Sequence, residues 1–238
     1  MRTIILALIL PATIGAQTTQ VPRVPPRELP AAATASLHQG LAAARPHASS
    51  VWRDTAPVNA DGTVTGYIEI PRGERRKFEF DIRSNERAID RVMPESVGGY
   101  PVNYGFVPQT ISYDGDPFDV LVLGPAIPGG TIVRGVVVGI MFMEDDKGLD
   151  SKVVVSPIGS GGRPQYPLTE ADQRRIGDFF ARYRQHEPGK FSRVPGWGSV
   201  DEGRAHVTTT HAFFCECRNV TGRCVLKSTP GDALMRRQ

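Results

Sequence analysis

The sequence predicts a mainly β domain of the α+β class, its strands coming first and its helices later. Two observations carry the strand prediction. The run 120–123 (Val-Leu-Val-Leu) has the length and β-branched content of a buried strand. The longer run 131–143 is β-branched and nearly uncharged, as a central strand should be. The helices are predicted by a change of period after Thr169, where apolar residues begin to recur at helical rather than alternating spacing.

Taken in order, residues 1–16 open with Arg2, pass through an apolar core at 4–10 and reach Gly15-Ala16. This is the layout of a secretory signal peptide, and it predicts an exported protein, secreted or periplasmic. The apolar core is too short for a membrane span, and no later stretch is long enough. Residues 17–58 are rich in Pro and Ala and read as a linker or arm, with a short helix at 37–44 as its one candidate element. The domain proper is placed at 59–214, followed by a cysteine-containing tail at 215–238. The formal net charge of +3 is small, and the basic residues lack the aromatic interleaving of a nucleic-acid surface, so no nucleic-acid partner is expected.

Within the domain, Val64–Ile70 and the stretch 77–82 read as strands joined by a turn at Pro71-Arg72-Gly73. In the second, Phe78, Phe80 and Ile82 alternate with Lys77, Glu79 and Asp81, which predicts one apolar and one charged face. The central strand runs into a second acidic loop, Glu144 to Lys152, and Val153 resumes a strand. Thr169 is a predicted N-cap, with Glu170 and Asp172 in the first turn. Ile176, Phe179, Phe180 and Tyr183 then form a stripe that packs on a core; on spacing alone Tyr183 reads as a core residue before a ligand. Ser199 with Glu202 offers a capping box for a last helix, against which the Thr208-Thr-Thr run argues.

The chemistry is concentrated in Tyr113-Asp114-Gly115-Asp116-Pro117-Phe118-Asp119, immediately before the first buried strand. Two unit charges about 5 Å apart repel by roughly 3 kcal/mol at an effective dielectric near 20. Such a cluster is either a solvated Asp-rich turn or a site neutralised by a hard cation such as Mg²⁺, Mn²⁺ or Ca²⁺. An EF-hand is excluded, since Asp119 and Pro125 stand where its Gly and Glu belong. Two acidic loops, each at a strand end, favour the metal. Cys215, Cys217 and Cys224 permit at most one internal disulfide; Cys217–Cys224 is preferred and Cys215–Cys224 is the alternative, on the reading that the segment is extended.

Asp114-Gly-Asp-Pro-Phe-Asp119 resembles the signature of the soluble family I inorganic pyrophosphatases. The resemblance extends from about Gly66 to Phe213 through Ile68-Glu69-Ile70-Pro71, Lys77-Phe78-Glu79, Asp90-Arg91, Tyr100-Pro-Val-Asn-Tyr-Gly105, Asp145, Asp150-Ser-Lys152, Phe179-Phe180, Tyr183, Gly189-Lys190 and Gly196-Trp197. It implies a small closed OB-like barrel of five strands with helices packed outside. It also implies hydrolysis of pyrophosphate with several Mg²⁺ ions, Mn²⁺ or Zn²⁺ being substitutes, and a homo-oligomer, a hexamer if bacterial or a dimer if eukaryotic. Carried over by residue, Asp114, Asp116, Asp119, Asp145 and Asp150 become metal ligands, supported by Glu69 and Glu79. Asp116 becomes the general base, Lys77, Arg91, Lys152 and Tyr183 become phosphate contacts, Arg184 joins the substrate set, and Tyr104 lines the pocket. The sequence departs from the family pattern at Arg184 and Asp146, where Lys and Glu are usual, and at Phe191, where Trp is common.

These acids outnumber Lys77, Arg91, Lys152 and Arg184 by about three charges, so an anionic substrate enters only once divalent ions reverse the sign of the pocket. Competing expectations are hydrolysis of another phosphoanhydride, such as a short polyphosphate or nucleotide, and an exported metal- or phosphate-binding module.

Overall fold

The computed structural model describes residues 49–217 apart from Arg83 and Asp114, together with the backbone of 27–28 and 225–226, which pair antiparallel. Nine strands and three helices make up the body. The strands are β1 (Val64–Ile70), β2 (Arg76–Asp81), β3 (Glu86–Val92), β4 (Asn103–Phe106), β5 (Asp119–Val122), β6 (Ile132–Asp145), β7 (Gly148–Leu149), β8 (Lys152–Pro157) and β9 (Ser192–Gly198). The helices are α1 (Val51–Asp54), α2 (Glu170–Arg182) and α3 (Val200–Cys217).

Five strands close into a ring. β6 pairs with β1, β1 with β4, β4 with β5, β5 with β8, and β8 returns to β6. Closure is the β-sheet's own remedy for exposed edges. Every pairing is antiparallel except β5–β8, where Val120 lies opposite Val153 and Val122 opposite Val155. The length of β6 lets it also hold β7 and β9. β2 and β3 form a separate hairpin.

The uninterrupted apolar run of β5 follows from burial on both faces. Val120 and Val122 pack with Ile68, Ile140, Phe142, Val153 and Val207 of α3. Leu121 and Leu123 face the other way, onto Met141, Met143, Val154 and the Ile176, Phe179 and Phe180 stripe of α2. Each such side chain removed from water contributes about 1.5–3 kcal/mol. β4 crosses β1 so closely that a Cβ on Gly105 would stand 1.8 Å from the Tyr67 carbonyl oxygen.

Both long helices begin as their sequences predict. Thr169 and Asp172 form a capping box at α2. At α3 the Ser199 amide donates to Glu202 Oε2 at 2.7 Å and the Glu202 amide to Ser199 Oγ at 3.2 Å. The Thr run does not break α3, because the Thr208 and Thr210 hydroxyls donate back to the carbonyls of Arg204 and His206 at 3.0 and 2.8 Å.

Two boundaries move. Packing of the domain starts at Ser50, inside the stretch assigned to the arm: Trp52 is buried, meets Phe214 edge-on and donates from Nε1 to the Thr110 carbonyl at 3.2 Å. At the other end α3 runs on to Cys217, so the backbone around Cys215 is helical where an extended segment was expected. The predicted signal, the helix at 37–44 and the pairing partner Cys224 lie outside the described residues. Among the described residues no helix is long and apolar enough to cross a membrane.

Candidate active site

A cleft of about 220 Å³ opens at the mouth of the barrel. The β2–β3 hairpin supplies Lys77, Glu79, Asp90 and Arg91, and β4 supplies Tyr104. The loop before β5 contributes Asp116 and Pro117, and Asp119 stands at the start of that strand. Across the cleft come Asp145 at the end of β6, Lys147 and Asp150 around β7, and Tyr183 and Arg184 after α2. Segments separated by a hundred residues thus deliver charged groups to one opening.

The Asp-rich loop is held by its own chain. Gly115 takes a φ of +92°, a left-handed conformation that suits a residue without Cβ. The Ser112 amide donates to the Asp116 carbonyl at 2.7 Å, and the Phe118 amide donates to Thr110 Oγ1 at 2.9 Å. Phe118, fully buried, anchors the loop to the core, which leaves the Asp116 side chain on the cleft wall.

Each carboxylate has a cation against it. Lys152 is buried directly behind the cleft, where its ammonium contacts Asp119 and lies 2.9 Å from Asp150. Its charge also sits over the rings of Tyr104 and Phe180, at 5.6 and 5.5 Å. Arg184 pairs with Asp145 and, at 3.0 Å, with Asp146. Lys147 reaches Asp116 at 3.1 Å, and Lys77 contacts Glu79 and lies 3.3 Å from Asp90. Glu187 lies 3.3 Å from Arg91. The Nε–H groups of Arg91 and Arg184 are buried without an acceptor, a capacity that the oxygens of an anion can fill.

Burial decides the protonation of the innermost acids. It pushes the Asp150 carboxyl up to about 7, against the pull of Lys152. Glu69, behind the cleft on β1, is raised to about 8 by burial although the Phe80 amide donates to it at 2.6 Å. Burial alone would lower Lys152, but Asp119 and Asp150 outweigh it and hold the ammonium charged. Burial raises Tyr104 and Tyr183 too, so both phenols stay neutral and can donate.

Of the predicted site residues, Lys77, Glu79, Arg91, Tyr104, Asp116, Asp119, Asp145, Asp150, Tyr183 and Arg184 line the cleft together. Lys152 sits behind them, and Glu69 lines an adjoining cavity of about 260 Å³. Asp114 lies outside the described residues. Tyr183 is both things its spacing allowed, packed on Phe179 and Phe180 and exposed to the cleft on one side. Asp90, Tyr100 and Lys147 were given no role by the sequence, although each adjoins or falls within a stretch that was singled out. Among the described residues no three acids, histidines or cysteines converge tightly enough to hold an ion unaided. The donors are nevertheless all hard oxygens, and the ammonium and guanidinium groups now between them occupy positions a divalent cation's charge can take, so the residues fit such an ion.

A closed barrel whose mouth interleaves carboxylates and fixed cations defines an enzyme class that handles small, multiply charged, oxygen-rich substrates. The family model for inorganic pyrophosphatase matches residues 66–214. Among curated relatives, the inorganic pyrophosphatase of Saccharolobus solfataricus is 37% identical over 155 residues, covering 62% of this chain and 90% of that protein. The inorganic pyrophosphatase of Rickettsia conorii is 40% identical over 147 residues, 58% of this chain and 84% of its own. Among solved structures, inorganic pyrophosphatases from Coxiella burnetii and Thermus thermophilus superpose with TM-scores of 0.63 and 0.64 at 34% and 32% identity, covering 67% and 70% of this chain and 99% of each of theirs. The chain belongs to the inorganic pyrophosphatase family.

Proposed function

We propose that this protein hydrolyses inorganic pyrophosphate to two phosphates with divalent cations, Mg²⁺ first among them, held by Asp116, Asp119, Asp145 and Asp150 together with Asp114. The carrying observation is that Asp116, Asp119, Asp145 and Asp150 share one cleft with Lys77, Arg91, Lys147 and Arg184. Such ions supply Lewis-acid polarisation of phosphoryl oxygens and acidify water.

The chain's own residues do the rest. Lys77 and Arg91, on paired strands of the β2–β3 hairpin, bind the outer phosphate oxygens from one wall. The neutral hydroxyls of Tyr104 and Tyr183 donate to oxygens without adding charge. Asp116, on the exposed lip, takes a proton from the attacking water as the new P–O bond forms. The P–O–P bridge then breaks, and the bridging oxygen leaves on the second phosphate, where Arg91 and Lys77 offset its charge. Lys152 holds Asp119 and Asp150 in position from beneath, and Arg184 does the same for Asp145 and Asp146. Glu69 and Glu79 stand behind and beside this set.

The test is phosphate release by purified protein with Mg²⁺ and with EDTA, on pyrophosphate, ATP and tripolyphosphate. Metal-dependent cleavage favouring pyrophosphate is expected. Equal cleavage of ATP or tripolyphosphate would move the substrate class to phosphoanhydrides at large, and binding without cleavage would make the protein a binding module. The N-terminal layout of Arg2, the apolar core and Ala16 supports export, which mass analysis of native protein checks by loss of residues 1–16. The family resemblance supports a homo-oligomer, which light scattering measures directly.

A further inference from the structure

We propose that Lys147 is a built-in competitor for the divalent cation at Asp116, so that its ammonium sets the metal concentration at which the cleft loads; this rests on the reading of the cleft as a metal-dependent hydrolytic site.

β6 turns into β7 through Asp146 and Lys147, with Asp145 opposite Gly148 and Glu144 opposite Leu149. The turn is fixed at both ends. The Lys147 amide donates to Asp145 Oδ1 at 2.8 Å, and Gly148 takes a φ of +123° that an L side chain resists. Lys147 therefore projects from a constrained tip on the rim opposite the Asp-rich loop, and its ammonium spans the mouth to Asp116 Oδ2 at 3.1 Å.

That pairing differs in kind from the contacts that Lys152 and Arg184 make with Asp119, Asp150 and Asp145. Lys152 is 1% exposed and Arg184 9%, so their charges are structural and stay in place. Lys147 is 53% exposed and Asp116 57%, so this pair is open to solvent and exchanges at little cost. An ammonium has one charge and a mobile stem, whereas a divalent cation has two and binds carboxylate oxygen directly. A cation arriving at Asp116 must displace Lys147 and then bear its repulsion from the rim. Lys147 thus keeps the lip neutral at low metal and yields at high metal.

The test measures Mg²⁺ uptake by substrate-free, EDTA-stripped protein, using isothermal titration for the wild type and for Lys147→Arg, Lys147→Gln and Lys147→Ala. An exposed turn position tolerates all three. Removing one positive charge about 5 Å from a divalent ion in a water-like dielectric tightens binding on the order of tenfold. Gln and Ala should tighten it alike, Arg should stay within about twofold of wild type, and the difference should shrink in high salt. Equal dissociation constants across the series, or weaker binding by the neutral variants, would overturn the proposal. Pyrophosphate hydrolysis by the wild type in the same buffer separates the two readings. Turnover with a flat series removes the competitor and leaves the function, while no Mg²⁺ uptake and no turnover in any protein removes both.

Discussion

Replacing Lys152 by Met should leave the barrel intact and make its stability depend on pH and on metal. Met fills most of the aliphatic stem and can rest on the same Tyr104 and Phe180 rings, so little volume is lost. What is lost is the charge between Asp119 and Asp150, whose side chains are only 16% and 13% exposed. Removing one partner of a buried ion pair costs about 3–5 kcal/mol. Protonation limits that loss. Asp150 already titrates near 7 because burial raises it, and without the ammonium it must rise further. The sign follows from linkage. A carboxyl raised in the folded state destabilises increasingly as pH climbs from its unfolded value to its folded one, and the variant extends that decline upward. The variant should therefore lie nearest to wild type at about pH 6, where Asp150 is protonated and only the Asp119 contact is lost, and each further pH unit should separate them by up to about 1.4 kcal/mol until the full loss is reached. Urea unfolding in EDTA at a series of pH values measures this. Mg²⁺ should restore stability to the variant more than to the wild type, because it replaces the missing charge. Coincident unfolding curves at about pH 8.5 in EDTA would refute the assignment of Lys152 as the counter-charge of both acids.

Three further outcomes are expected. Asp116→Asn should lower turnover on pyrophosphate by about 10²–10⁴-fold with unchanged circular dichroism, as loss of a general base does; wild-type turnover at saturating Mg²⁺ would assign the base elsewhere. Mg²⁺ affinity should rise with pH and level off about one pH unit above 8, because Asp150 and Glu69, raised to about 7 and about 8 by burial, release protons when a cation takes their charge; titration in buffers of different ionisation enthalpy detects those protons, and a pH-independent affinity would sink the linkage. Gly105→Ala should cost about 3–5 kcal/mol in urea unfolding, since its Cβ would meet the Tyr67 carbonyl oxygen at 1.8 Å and β4 must retreat from β1; a change under about 1 kcal/mol would mean that the crossing yields freely.

What the sequence revealed of this molecule divides along one physical line, between signals carried by neighbouring residues and contacts made across the fold. β1, β5 and the start of α2 were legible because burial, capping and alternation each leave a local mark, and the structure has β1 at Val64–Ile70 and the capping box at Thr169. β3, β4 and β9 left no such mark. Arg87, Asp90 and Arg91 make β3 look like a solvated loop, and it is a strand because β2 pairs with it from Arg76 to Asp81, with one shift of register at Asp90. Trp52 sits in a stretch whose Pro and Ala content spoke for a linker, and its packing against Phe214 with its bond to the Thr110 carbonyl makes it core. The helix at Cys215 was misread as extended for a local reason instead: the Thr hydroxyls that oppose helix in isolation donate to carbonyls of their own preceding turn.

The candidate site was more legible than the fold around it, and the reason is electrostatic. Asp114, Asp116 and Asp119 fall within six residues and a second acidic loop follows the central strand, a pattern in the sequence that favours a neutralising cation over a solvated turn. It does not announce which cation. Lys152, two residues from Asp150, reaches past it to Asp119, thirty-three residues earlier in the chain, because β5 and β8 run parallel and begin at the same level. Arg184 reaches Asp145 because α2 ends beside the end of β6. Lys147, hidden among the acids of its own loop, turns outward to Asp116 on the facing rim. In each case the acid is local and its partner is topological. The fixed pairs under the cleft let the acids stand together without metal, and the exposed Lys147–Asp116 pair at its lip is where an incoming cation meets little resistance.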